Sequence, residues 1–140
     1  MRDRSAIGTH SRRKGRAFEQ WVARQIREAG IPARRGYQSR GGHEEPDVST
    51  EDWVIECKAG GPAKDPLAAL EQAEGDAAKS KDGRTPVAIC KRDRCEPTAT
   101  MRLGRITAQW NENNSAVIAG CGRIPITMSF ANWLLLARRF

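Results

Sequence analysis

The stretch PDVSTEDWVIECK, residues 46–58, carries three side chains whose types and spacing suit one chemistry: Asp47, Glu56 and Lys58. Two carboxylates are hard oxygen donors for Mg²⁺, and an ammonium beside them can orient or activate a water that attacks a phosphodiester. The segment DWVIECK alternates, so Trp53, Ile55 and Cys57 point one way and Val54, Glu56 and Lys58 the other. If residues 46–58 fold as a hairpin, Asp47 comes opposite Glu56, with Lys58 two residues along the same face. The Cys57 carbonyl, between the two charges, is a further candidate ligand. Such charges need partners, because an unpaired buried carboxylate or ammonium is strongly disfavoured by desolvation.

The elements that must position these groups are readable in turn. From Lys14 onward, Phe18, Trp21, Val22, Ile26 and Ala29 recur at helical spacing until Gly30 and Pro32 stop the segment. Glu19 borders that apolar stripe, so it too wants a partner. Residues 1–13 are polar, basic and aperiodic, and are expected to form a flexible arm, with Arg12, Arg13 and Lys14 as candidate phosphate contacts. ARRGYQSRGGHEEPDV reads as a short strand around Arg34 to Tyr37 running into a loop, with the next strand starting near Asp47. Arg34, Arg35, Gln38, Ser39 and Arg40 are candidate nucleic-acid contacts there. Tyr37 is expected in the core, with stacking on an unpaired base as the alternative.

PLAALEQAEGDAAKS is an Ala-rich helix opening at Asp65-Pro66, with Asp as N-cap and Pro at the first helical position. TPVAIC reads as a buried strand and TATMRLGRI as its neighbour or continuation. Residues 104–128 resist placement; within them NENN looks like a turn and SAVIAG like a short strand. SFANWLLLARRF closes the sequence as an amphipathic helix capped by Ser129, its apolar side expected against the core rather than a second subunit. The order of helix, strands, helix, strands predicts an α/β protein with a mixed sheet flanked by helices. No glycine fingerprint or Walker loop marks a nucleotide site.

The chain has 140 residues, the length of one domain with a real core. Lys and Arg number 24 against 17 Asp and Glu, a formal net charge of +7 that points to a polyanionic partner without itself indicating an enzyme. No transmembrane segment or secretory signal is read, so a cytoplasmic protein with no membrane partner is expected. Cys57, Cys90, Cys95 and Cys121 are irregularly spaced and read as reduced thiols.

Pro46-Asp47 followed by Glu56-Cys57-Lys58 resembles the signature of the PD-(D/E)XK nucleases. From Lys14 to about Leu103 the chain looks like their Holliday-junction-resolvase-like and phage-encoded branch, which shares the KGRAFE helix start, the RRGYQSRGG loop, the IECK strand and ALEQAE in the second helix. The resemblance implies a restriction-endonuclease-like αβββαβ core, here with an extra C-terminal strand pair and helix, and a single nuclease-like domain over residues 14–140. It implies one or two Mg²⁺ or Mn²⁺ ions held by Asp47 and Glu56, Glu19 as ligand or supporting carboxylate, and Gln72 as an active-site neighbour. Lys58 then stands near the attacking water, either as charge stabiliser or as base. No organic cofactor is implied. DNA, branched or duplex, is the expected partner, in a bacterial or phage-infected cell, with a homodimer placing two sites across a symmetric junction. Residues 104–128 have no clear counterpart in that branch, which weakens the transfer of its dimer interface and junction specificity. Two other readings share these residues: a basic nucleic-acid-binding module without catalysis, and an RNA-processing nuclease.

Overall fold

The computed structural model describes residues 4–37, 45–110 and 122–139. Its elements run α1 (Arg4–Glu28), β1 (Arg34–Arg35), β2 (Val48–Ser49), β3 (Trp53–Ala59), a 3-10 turn (Gly61–Lys64), α2 (Pro66–Ser80), β4 (Thr85–Lys91), β5 (Thr98–Arg102), α3 (Leu103–Trp110), β6 (Pro125–Ser129) and α4 (Phe130–Ala137). The strands form one six-stranded sheet in the order of the sequence. Pairing is antiparallel except between β3 and β4, which α2 connects as a parallel crossover. The fold is therefore a mixed α/β sheet with flanking helices, and its first six regular elements run α, β, β, β, α, β as expected.

Strand parity divides the core. Trp53, Ile55 and Cys57 of β3, with Val87 and Ile89 of β4, join Phe18, Val22 and Ile26 of α1 and Phe130 and Trp133 of α4 in one apolar cluster. Trp53 meets Trp133 edge-on at 5.2 Å between ring centroids. On the opposite face Ala88 and Cys90 of β4 pack with Ala63, Ala69 and Leu70 in a smaller cluster under α2. Apart from Leu70, the side chains of this cluster are small.

Local signals explain the boundaries. Helix α1 ends in a double cap, with the Gly30 amide bonded to the Arg27 carbonyl and the Ile31 amide to the Ile26 carbonyl, and Gly30 takes the positive φ of 88° that this ending requires. Asp65 caps α2 by accepting from the Ala68 amide, and Ser129 caps α4 by accepting from the Asn132 amide.

Two elements differ from the sequence reading. Helix α1 begins at Arg4, so residues 4–13, expected as a flexible arm, are helical backbone. Arg, Lys and Ala favour helix and no proline intervenes, so the backbone can be helical without an apolar period in the sequence. TATMRLGRI is strand only to Arg102 and turns helical at Leu103. Leu103, Ile106 and Trp110 carry the three-and-four spacing of a helix, and Ile106 packs on the main core. The expected NENN turn, SAVIAG strand and Cys121 lie outside the described residues. In the last helix Trp133 is fully buried whereas Leu135 is 61% exposed, so the apolar run is wider than the face it buries. Among the described residues no helix is long and apolar enough to cross a membrane.

Candidate active site

A tight hairpin assembles the acidic residues. The Thr50 amide bonds the Trp53 carbonyl at 3.0 Å, while the Thr50 hydroxyl accepts from the amides of Asp52 and Trp53 and closes the turn over Glu51 and Asp52. With the turn fixed, Val48 pairs with Ile55 and Ser49 with Val54, so continuing the register sets Asp47 opposite Glu56. Asp47 is also tied across the strands, since its Oδ2 accepts from the Cys57 amide at 2.8 Å. On the outer side the Gly36 amide bonds the Asp47 carbonyl at 3.0 Å.

Glu56 is 3% exposed. Its Oε1 lies 2.5 Å from Lys58 Nζ, and the same ammonium donates to Gln72 Oε1 on α2 at 3.0 Å. Gln72 is thus brought onto Lys58 from the facing helix. Four residues later, and so on the same side of α2, stands Asp76, whose side chain is 10% exposed and pairs with Lys79 at 3.3 Å. Sequence reasoning passed over Asp76; the signal available was its spacing from Gln72.

Electrostatics at this end of the sheet are strained by burial. Desolvation raises Asp47 above its usual carboxylate range, helped by the negative charges of Glu19 and Asp76 and opposed by the Cys57 amide and Lys58. Glu56 is pushed up to about 7 by burial and then by Asp47, although Lys58 pulls the other way. Burial disfavours the Lys58 ammonium, but its hydrogen bond and charge contact with Glu56 outweigh this and hold Lys58 above its usual range. Burial, with the surrounding carboxylates, keeps the Cys57 thiol protonated. It is no nucleophile.

Glu19 is placed near enough for Asp47 to feel its charge, yet its own contact is elsewhere: Arg35 Nε donates to its Oε2 at 2.7 Å. The partner that a carboxylate beside the α1 stripe needs is therefore the guanidinium of β1. Arg35 and Lys14, both candidate phosphate contacts, have partners within the protein, Lys14 being paired with Asp93 at the surface. Arg34 reaches Ser49 only loosely, at 3.4 Å. Arg12, Arg13 and Arg16, with Ala17 and Gln20, line an open basic groove along α1. Gln38, Ser39 and Arg40 lie outside the described residues. Tyr37, expected in the core, is 85% exposed.

Among the described residues no three His, Cys, Asp or Glu side chains converge on a common metal position. Each nearby carboxylate is held by a protein partner: Asp47 by the Cys57 amide, Glu56 by Lys58 and Glu19 by Arg35. The donor set nevertheless fits a hard divalent cation. Two desolvated carboxylates face each other across a hairpin, both raised in pKa, and a cation is what would relieve both the burial and the repulsion.

No family model and no curated protein matches the chain. Among solved structures it is similar to Hjc, a Holliday junction resolvase from the archaeal hyperthermophile Archaeoglobus fulgidus, with 16% sequence identity, a TM-score of 0.46, and coverage of 86% of this chain and 93% of that one. So distant a likeness carries no argument about chemistry, which rests on the side chains themselves.

Proposed function

We propose that the protein is a divalent-metal-dependent endonuclease of the PD-(D/E)XK type, hydrolysing phosphodiester bonds in DNA, with branched DNA as its substrate class. One observation carries this reading: the β2–β3 hairpin sets half-buried Asp47 opposite buried Glu56, two carboxylates of raised pKa, with the Lys58 ammonium on the same strand face. Asp47 and Glu56 would hold Mg²⁺ or Mn²⁺, with the Cys57 carbonyl and Glu19 as supporting donors. When bound, such an ion supplies Lewis acidity at the phosphate and a more acidic water.

The remaining work falls to the chain's own residues. Lys58, kept charged and held in place by Gln72, acts as a charge stabiliser for the phosphate as in-line attack by water adds negative charge. Attack at phosphorus breaks the bond to the 3′ oxygen, which takes a proton and leaves as a hydroxyl, and the 5′ end keeps the phosphate. Arg12, Arg13 and Arg16 on α1 contact the flanking phosphates. A second copy of the chain supplies the second cut of a symmetric junction.

The test is cleavage of a matched panel of four-way junction, flap, single-stranded and linear DNA in Mg²⁺ or EDTA. Cuts that disappear in EDTA and in Glu56→Gln support the proposal, whereas metal-independent cutting or full activity in that variant rejects it. A second reading, a DNA-binding module without catalysis, is favoured by the protein partner that each carboxylate already has. It predicts salt-sensitive binding, unchanged when Asp47 and Glu56 are both made neutral, and no cleavage of any substrate.

A further inference from the structure

Gly36 and Tyr37 follow directly on β1 and run beside Asp47 on its outer side. The Gly36 amide is bonded to the Asp47 carbonyl, and a Cβ at Gly36 would lie 2.1 Å from the Pro46 carbonyl oxygen. No side chain fits there. The next residue is fixed as well, since the Tyr37 amide donates to Glu45 Oε2 at 3.1 Å. Bonded strand partners stand about 5.5 Å apart at Cα and successive residues about 3.8 Å, so the Tyr37 Cα is held within about 9 Å of that of Asp47.

Tyr37 is the chain's single tyrosine, and at 85% exposure it is the most exposed large hydrophobic residue described. A lone exposed aromatic is ordinary on a protein surface and by itself calls for no ligand. Here the position differs. The other exposed members of that group lie elsewhere, Leu67 on α2, Leu135 on α4 and Ile124 just before β6, while the Tyr37 amide is bonded to the carboxylate of Glu45, two residues before Asp47. Its ring is open to solvent on a residue whose backbone lies next to that of Asp47, and Arg34, three residues earlier, is exposed as well.

A base inside an intact duplex has both faces covered by its neighbours, so it has no face to offer a protein ring. A base at a flap, bulge or branch point has one. Aromatic stacking on such a base tolerates any sequence, because every base has a π-face. We propose that Tyr37 is a stacking platform for an unpaired base beside the scissile phosphate, and that it biases the protein toward branched or frayed DNA over continuous duplex. This deepens the nuclease reading and rests on it.

The full chain is titrated, in EDTA so that nothing is cut, with a bulged duplex carrying 2-aminopurine at the unpaired position and with a continuous duplex of the same sequence. Tyr37→Ala should weaken binding to the bulged DNA by about five- to hundredfold more than to the duplex, with loss of the 2-aminopurine signal change, while Tyr37→Phe and Tyr37→Trp keep both. Equal losses on the two DNAs, no loss, or a Tyr37→Phe variant as weak as Tyr37→Ala overturns the proposal. Cleavage in Mg²⁺ by the wild type and by Glu56→Gln is measured in parallel. Selective stacking without cleavage would remove the nuclease reading alone, and Glu56-dependent cleavage without selectivity would remove the stacking role alone.

Discussion

The two faces of β3 belong to one strand, yet they meet opposite environments. Toward α1 and α4, Trp53, Ile55 and Cys57 enter a dry cluster of large side chains that includes Phe18, Phe130 and Trp133. Toward α2, Glu56 and Lys58 share their face with Ala88 and Cys90 of β4, under a helix whose buried residues are Ala69, Leu70 and Ala73. Small residues let α2 approach closely, so Gln72 reaches Lys58 and Asp76 acts on the charges of both Asp47 and Glu56. One face supplies stability and the other spends part of it on desolvated charge. The period of two along a strand is what keeps them apart.

The comparison is sharpest between neighbouring residues. Trp53→Ala empties the dry face and should destabilise the protein by about 3–5 kcal/mol in urea unfolding, with Trp53→Phe losing much less. Glu56→Gln should do the reverse, raising stability in metal-free protein at neutral pH and abolishing cleavage in Mg²⁺. The sign follows from linkage. Glu56 is near 4.5 when unfolded and about 7 when folded, so between these values the folded state binds more protons and stability falls as pH rises. The loss is on the order of a few kcal/mol and complete above pH 7. Metal-free melting temperature should therefore decline from pH 5 to 7 in the wild type and flatten in Glu56→Gln; a wild-type profile rising over that range would break the comparison.

Smaller effects probe how the charged face is held. Gly36→Ala forces a Cβ onto the Pro46 carbonyl and displaces the segment carrying Asp47, so cleavage should drop by up to about a hundredfold while urea stability changes little. Arg35→Met leaves buried Glu19 without its cation and should cost about 1–3 kcal/mol by the same denaturation assay. The surface pair of Lys14 and Asp93 should contribute under about 1 kcal/mol in a double-mutant cycle.

Much of this was legible in the sequence, because the relevant signals are local. The alternation of DWVIECK separates the faces, Asp65 and Ser129 sit where caps belong, and the spacing of Asp47 and Glu56 suits a hairpin with a short turn. The less legible features depend on distant partners. Glu19 could be read as needing a cation, but nothing in its neighbourhood identifies Arg35, sixteen residues on. Asp76 looks like one more polar residue on an Ala-rich helix until α2 is laid on the sheet. Tyr37 has the composition of a core residue, and its exposure follows only from the way Gly36 is pressed against Pro46. Helix α3 shows a conflict of signals, since TATM favours strand and the period beginning at Leu103 favours helix, with no turn residue pair between them. The basic start of α1 has no apolar period to read.

The central claim, that Asp47 and Glu56 on the charged face form a divalent-metal site, is tested most directly by titrating metal-free protein with Mn²⁺ at pH 7 and following heat, proton release and melting temperature together. Saturable binding that releases protons and raises the melting temperature, and that is lost in both Asp47→Asn and Glu56→Gln, is the predicted result. Absence of binding, or binding that both variants retain, would contradict the account.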